Sequence, residues 1–162
     1  MNGNFTFSWA GLLFLVMLFV PNILWIKNKP EGYTAEHENK VLVVLERIGQ
    51  ILTIIFALFP FEQTTQDEPG QIWILAVAFI LMVLYELWWI RYFRSDQTLS
   101  DFYTTFFGIP VAGAVLPVLA FLLLGMYDQS LWLMASAIIL GIGHIGIHYQ
   151  HYKELETRTE QK

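Results

Sequence analysis

Five long apolar stretches alternate with short polar segments along this chain of 162 residues. At a rise of about 1.5 Å per residue, each stretch is long enough to cross a hydrocarbon core of about 30 Å. The pattern predicts an all-α membrane protein with a single five-helix transmembrane domain, residues 1–152, and a polar tail, residues 153–162. The predicted helices are residues 5–26, 41–61, 72–90, 106–126 and 131–148.

Basic residues fall in every second gap between these stretches, and the opposite gaps contain none. Arg47 lies just inside the second stretch. The others are Lys27, Lys29, Lys40, Arg91, Arg94, Lys153, Arg158 and Lys162. Because basic loops stay on the cytoplasmic side of a membrane, the pattern predicts an outer N-terminus and a cytoplasmic C-terminus.

The composition supports a membrane environment. Hydrophobic residues make up 56% of the chain and charged residues only 14%, whereas a soluble surface carries about 25–35% charged side chains. The chain has no cysteine, which excludes disulfides, thiolate ligands and cysteine nucleophiles. Without a basic face beyond the cytoplasmic flanks, nucleic acid is an unsuitable partner. We expect contact with the lipid bilayer, and with a second copy of the chain or another membrane subunit.

Three ionisable residues lie at a similar depth inside the predicted helices. Helical rise places Glu86 about 21 Å and His144 about 20 Å from the outer ends of their helices, and Glu46 about 8 Å from the cytoplasmic end. Ionisable side chains inside a bilayer cost roughly 2.5–3.5 kcal/mol each, so they usually face the bundle interior. The three residues predict a polar site in the inner half of the membrane.

Further polar residues belong to the same predicted layer: Asn22, Arg47, Gln50 and Tyr85. Glu46 and Gln50 share one helix face because they are four residues apart. Arg47 points elsewhere, so it either reaches the headgroups or pairs with Glu86. A purely architectural alternative is a neutralised cluster of Glu46, Arg47 and Glu86 that holds three helices together.

Three histidines, His144, His148 and His151, follow i, i+4, i+7 spacing and share one face of the fifth helix. The pair His144 and His148 has the spacing of a helical metal chelate, and a carboxylate from Glu86 or Glu46 would complete a two-His, one-carboxylate site. The cofactor in that case is a divalent metal ion. The alternatives are a proton relay and ordinary hydrogen bonding.

Glycines and prolines predict how the helices pack. The sequence GIGHIG, residues 141–146, lies inside an apolar span and not between a strand and a helix, so it is not a dinucleotide motif. Its glycines are expected to admit another helix closely. Pro110 and Pro117 are expected to bend the fourth helix. We expect residues 91–105 to lie on the inner membrane surface. The tryptophans near the span ends are expected to be interfacial anchors: Trp9, Trp25, Trp73, Trp88, Trp89 and Trp132.

Five segments of the chain are similar to one group of known sequences. The segments are FVPNILW (19–25), LERIG (45–49), YELWWIRYFRS (85–95), GIPVAGAVLP (108–117) and GIGHIGIH (141–148). They resemble an uncharacterised family of small multi-pass membrane proteins from low-GC Gram-positive bacteria. The resemblance covers nearly the whole chain and implies a bacterial plasma membrane. It implies no activity and no functional residue.

The favoured hypothesis is a polar cavity that faces the cytoplasm and binds or transports a cation, a proton or a small polar solute. Glu46, Glu86, His144 and His148 would be its ligands or proton carriers, so we expect Glu86→Gln to abolish stabilisation by the solute. One alternative is a membrane-embedded metal-dependent enzyme that acts on a lipid-linked substrate. The sequence favours it less because it shows neither a nucleophile motif nor a phosphate-binding loop. The other alternative is a non-catalytic subunit of a membrane complex.

Overall fold

A computed structural model describes residues 7–61 and 72–160 of the chain. The described residues are all-helical apart from loops and turns, as predicted. The helices in chain order are α1 Trp9–Lys27, α2 Lys40–Leu58, α3 Ile72–Phe93, α4 Leu99–Tyr103, α5 Ala112–Tyr127 and α6 Leu131–Glu160.

Four helices in the described part of the chain, α1, α2, α3 and α6, are long and apolar enough to cross a membrane. Their outward faces carry large apolar side chains. Val20, Ile51, Ile80 and Ile138 are each more than half exposed, at 52%, 59%, 56% and 52%. Such side chains are unfavourable in water and favourable in lipid, so these faces support a membrane protein.

The fourth predicted span is shorter in the structure than the sequence indicated. α5 begins at Ala112 and has 16 residues, which cover about 24 Å. Residues 106–111 form a turn in which the N–H of Phe106 donates to the carbonyl of Ile109 at 3.1 Å, with the reverse bond at 2.9 Å. Gly108 has φ +77° in this turn, a conformation that glycine adopts readily. Pro110 therefore precedes the helix and bends nothing.

Two glycines bring α2 and α6 into close contact, and this is the most extensive helix pairing in the bundle. A methyl group at Gly143 would meet the backbone N of Glu46 and lie 2.6 Å from the carbonyl oxygen of Leu42. A methyl group at Gly49 would likewise meet the backbone of Leu140. The absence of side chains at these positions allows the close helix approach that the sequence predicted.

Aromatic side chains pack where α3 meets the short helix α4. The ring of Phe102 lies 5.3 Å from that of Trp88 and 5.2 Å from that of Tyr92. Trp88 and Trp89 are buried, so the prediction that they are interfacial anchors was wrong. A capping box at Thr98 begins α4, and α4 inserts Phe102 into the bundle where the sequence predicted a surface segment.

Candidate functional site

A cavity of about 300 Å³ lies at the end of the bundle where α1, α3 and α6 carry basic residues in their last turns. We call it the inner cavity. Most of the residues predicted for the polar site line it: Asn22, Glu46, Arg47, Gln50, Tyr85, His144 and His148. They come from α1, α2, α3 and α6, so tertiary packing brings them together from distant parts of the chain.

A short contact between α2 and α6 crosses one wall of the inner cavity. Nδ1 of His144 lies 2.6 Å from Oε1 of Glu46, and the two side chains are 27% and 23% exposed. This distance is within hydrogen-bonding range, and the imidazole N–H donates to the carboxylate oxygen. Gly143 makes it possible, because the backbone of α6 touches that of α2 beside Glu46. The ring of His148 follows one turn later, 4.6 Å from the ring of His144.

A second polar contact joins α1 to α3 on the same cavity. Nδ2 of Asn22 donates to the hydroxyl oxygen of Tyr85 at 2.7 Å and to the carbonyl of Leu18 at 2.7 Å. Both hydrogens of the amide nitrogen are thereby used. Asn22 and Tyr85 both line the inner cavity, and their predicted role as hydrogen-bond partners of a bound solute stays a prediction.

Aromatic and charged side chains that were not predicted for the site form the part of the wall near the loop between α1 and α2. Lys29 lies 5.1 Å from the ring centroid of Trp25, and Tyr33 lies beside it on the loop between α1 and α2. Burial raises the pKa of Tyr33 to about 12, and the charges of Glu38 and Glu46 add to the rise. Burial also raises the pKa of the Tyr103 hydroxyl. Their aromatic rings in polar segments were the signal that could have identified them.

A second His–Glu pair lies close to the inner cavity. Nε2 of His151 is 3.1 Å from Oε1 of Glu38, with side chains 10% and 14% exposed. Next to it, Nε2 of Gln150 donates to the carbonyl of His37 at 2.9 Å. These contacts attach the loop between α1 and α2 to α6, which continues as a helix well past the end predicted for it.

Glu86 does not take part in the site as predicted. It is half-buried, is absent from the cavity wall, and makes no hydrogen bond or ion pair with any residue in the ranges 7–61 and 72–160. The buried face of α3 is formed by Tyr85, Trp88 and Tyr92. Because successive residues point about 100° apart around a helix, the position next to Tyr85 lies off that face. Arg47 likewise forms no ion pair with Glu86.

The predicted metal site of His144, His148 and Glu86 is not assembled. Among the described residues, no group of three His, Asp or Glu side chains is arranged to hold a metal ion. The two histidines are neighbours, but the carboxylate nearest to them is Glu46, which is already paired with His144. The arrangement favours hydrogen bonding over chelation.

A second, mostly apolar cavity of about 130 Å³ lies between α1, α2, α5 and α6. We call it the outer cavity. Its wall includes Leu15, Ile54 and Phe121. Its polar wall residues include Asn22, Gln50 and His144, which also line the inner cavity. The two cavities therefore meet at these three side chains.

No protein-family model, no curated protein and no solved structure matches this chain.

Proposed function

We propose that this protein binds a small polar solute in the inner cavity and exchanges it with the cytoplasm. The observation that carries the proposal is the cavity itself, in which seven separately predicted polar residues converge. Its volume of about 300 Å³ is at the lower end of the range of about 300–1,000 Å³ for small-molecule sites. Polar side chains at such a depth are costly, and a bound solute gives them a function.

The proposed setting is a bacterial plasma membrane, with α5 as a fifth crossing, an outer N-terminus and a cytoplasmic C-terminus. The positive-inside pattern supports this orientation. The turn at residues 106–111 supports α5 as a crossing, because irregular backbone is tolerated at membrane depth where protein surrounds it or where it lines a cavity. Val111 is buried and lines the inner cavity.

Transport is a further part of the proposal. The outer cavity shares Asn22, Gln50 and His144 with the inner one, so a solute that moved past these three side chains would travel toward the opposite side of the bundle. Flux of the bound solute into liposomes should then depend on His144. If the protein binds the solute but does not transport it, its role is that of a receptor or of a subunit of a larger complex.

Thermal unfolding of the purified protein in lipid nanodiscs, with a panel of metal cations, amines, carboxylates, amino acids and phosphate, tests the binding proposal. A ligand of the folded state raises stability in a concentration-dependent way, by about 2.7 kcal/mol at one hundred times its Kd. At least one class of solute should raise the melting temperature of the wild type. His144→Gln should remove that rise.

Two matched variants serve as controls. His151→Gln changes a histidine that does not itself line the cavity, and Glu86→Gln neutralises a carboxylate of α3 that does not line the cavity. Both should keep the solute-dependent rise, in contrast to the expectation for Glu86 from sequence alone. If every solute leaves the wild type unchanged, or if His144→Gln responds as the wild type does, the proposal fails.

The orientation has its own test because the chain has no cysteine. Single cysteines at Asp96, between α3 and α4, and at Leu131, at the start of α6, should differ in labelling by a membrane-impermeant maleimide. In intact cells the Leu131→Cys variant should label and Asp96→Cys should label only after lysis. The reverse result would invert the orientation.

A further inference from the structure

Hydrogen-bond donors without partners line the inner cavity. The indole Nε1 of Trp88 and the hydroxyl of Tyr103 belong to side chains that are only 2% and 3% exposed. Neither atom has a hydrogen-bond partner in the described part of the chain. An indole N–H can only donate, and burying a donor without an acceptor is unfavourable. An acceptor on a molecule bound in the cavity would satisfy these groups.

The charges on the cavity wall point to the same kind of ligand. Each of its two carboxylates, Glu46 and Glu38, already has a histidine within 3.1 Å. Lys29 and Arg47 also line the cavity, and neither forms an ion pair within residues 7–61 and 72–160. Lys29 and Arg47 are thus the charged groups of this wall that have no hydrogen-bonded partner within these ranges, and their positive charge favours an anion.

The outer cavity indicates what is attached to the anion. Its volume of about 130 Å³ is close to that of an apolar cavity of about 150 Å³ known to bind benzene, so it would hold an apolar group of about six carbons. Trp88 lies only about 4.5 Å along the axis of α3 from Tyr85, the partner of Asn22 at the boundary between the cavities. A head group beside Trp88 can thus carry a chain that passes Asn22 and enters the outer cavity.

We propose that the solute is a small organic anion, with a carboxylate or phosphate head in the inner cavity and an apolar group of about six carbons in the outer cavity. This inference rests on the proposed function and narrows it from any polar solute to one chemical class. The head accepts hydrogen bonds from Trp88 and Tyr103 and lies near Lys29 and Arg47. The apolar group displaces no polar contact, because the outer cavity is lined mainly by aliphatic and aromatic side chains.

The experiment measures the affinity of compounds that share one hexyl chain and differ in the head: hexanoate, hexyl phosphate, hexylammonium and 1-hexanol, with acetate and inorganic phosphate as heads without a chain. Binding is read from thermal unfolding in nanodiscs of one lipid composition, so that partitioning into lipid is the same for all variants. Hexanoate or hexyl phosphate should bind, and the stronger of the two identifies the head. Affinity should rise by up to about fourfold for each methylene group that enters the outer cavity.

Two sets of variants distinguish the contribution of the ligand's head group to the affinity from that of its hexyl chain. Tyr103→Phe removes one donor and should weaken hexanoate or hexyl phosphate by about tenfold, and Lys29→Gln should weaken it further. Ile54→Phe fills the outer cavity and should abolish the advantage of hexanoate over acetate. Val118→Leu adds one methylene group to the wall of the same cavity. It replaces Ile54→Phe in this test if Ile54→Phe does not fold. Glu86→Gln, which does not line either cavity, should behave as the wild type.

Binding of hexylammonium in preference to both anions would overturn this inference and leave the proposed function intact, since the cavity would still hold a polar solute. Equal affinity for acetate and hexanoate would remove the role of the outer cavity. If neither these compounds nor the wider panel changes the unfolding of the wild type, the inference and the proposed function both fail.

Discussion

Two His–Glu pairs connect α6 to the chain around α2, and they differ in their surroundings. The contact between His144 and Glu46 is shorter, at 2.6 Å, and its side chains are 27% and 23% exposed toward the inner cavity. The contact between His151 and Glu38 is 3.1 Å long, and its side chains are 10% and 14% exposed. Both members of the first pair thus line the cavity, whereas in the second pair only Glu38 does and His151 is enclosed by protein.

The difference teaches that one pair is available to a solute and the other stabilises the fold. Rings of Tyr33 and Tyr103 cover His151, with centroids 5.5 Å and 6.1 Å away. Removing one partner of an enclosed pair leaves the other without a hydrogen bond, which is costly. At the open pair, water in the cavity can replace a lost partner. We therefore expect His151 to matter more for stability and His144 more for binding.

The largest expected effect comes from the glycine that lies against α2 beside Glu46. Gly143→Ala places a methyl group against the backbone of α2, which cannot move aside as a side chain can. It should destabilise the protein by about 3 kcal/mol, near the upper end for overpacking, and weaken the contact between His144 and Glu46. Thermal unfolding in nanodiscs measures the change.

Gly146→Ala is the matched control on the same helix. Its methyl group would lie 3.0 Å from a methyl carbon of Leu42, a side chain that can move. Because alanine favours a helix over glycine by up to about 1 kcal/mol, this variant should be neutral or slightly stabilising. Equal losses from the two substitutions would show that close backbone approach at Gly143 is not what joins α2 to α6.

A double-mutant cycle at each pair gives the next largest effect. His151→Ala and Glu38→Ala should show a coupling free energy of about 1.5–3 kcal/mol, as expected for an enclosed hydrogen bond to a charged group. His144→Ala and Glu46→Ala should show less than about 1 kcal/mol, because that pair is partly exposed to the cavity. A larger coupling at His144 than at His151 would reverse the assignment of the two pairs.

The smallest expected effect is a dependence of protein stability on alkaline pH, caused by Tyr33 beside the enclosed pair. Burial and the nearby carboxylates raise the pKa of Tyr33 to about 12, above the ordinary value of about 10. The folded state therefore holds this proton more tightly, and the resulting stability is present below pH 10 and lost as the pH rises toward 12. Melting temperatures between pH 9 and pH 12 should fall less steeply for Tyr33→Phe than for the wild type. Parallel curves would contradict the burial of Tyr33.

The sequence was most informative about how far along each helix a residue lies. It was least informative about which way a side chain points around the helix axis and about the structure of the loops. Apolar length and basic flanks predicted helices near those observed, and helical rise placed Glu46 and His144 at one level. Depth alone could not distinguish Glu86 from Tyr85, because neighbouring residues differ by about 100° around the helix axis. α4 has only five residues, too few to give a periodic pattern, so the one signal for Tyr103 was an aromatic ring in a polar segment.

Helix packing also decides which apolar residues face the interior. Trp88 was expected at the membrane surface because it lies near a span end, yet Gly113 of α5 leaves the space in which its indole is buried. A methyl group at Gly113 would lie 2.6 Å from the Trp88 ring. This pairing joins residues from two helices and has no signal in either segment alone.

The most direct test of the two roles is thermal unfolding of His144→Gln and His151→Gln, each with and without the solute that stabilises the wild type. We predict that His144→Gln keeps most of its melting temperature and loses the rise caused by the solute. His151→Gln should melt at a lower temperature and keep the rise. If the two variants respond alike, or if His151→Gln alone loses the response to the solute, the assignment of binding to the inner cavity and of stability to the enclosed pair is wrong.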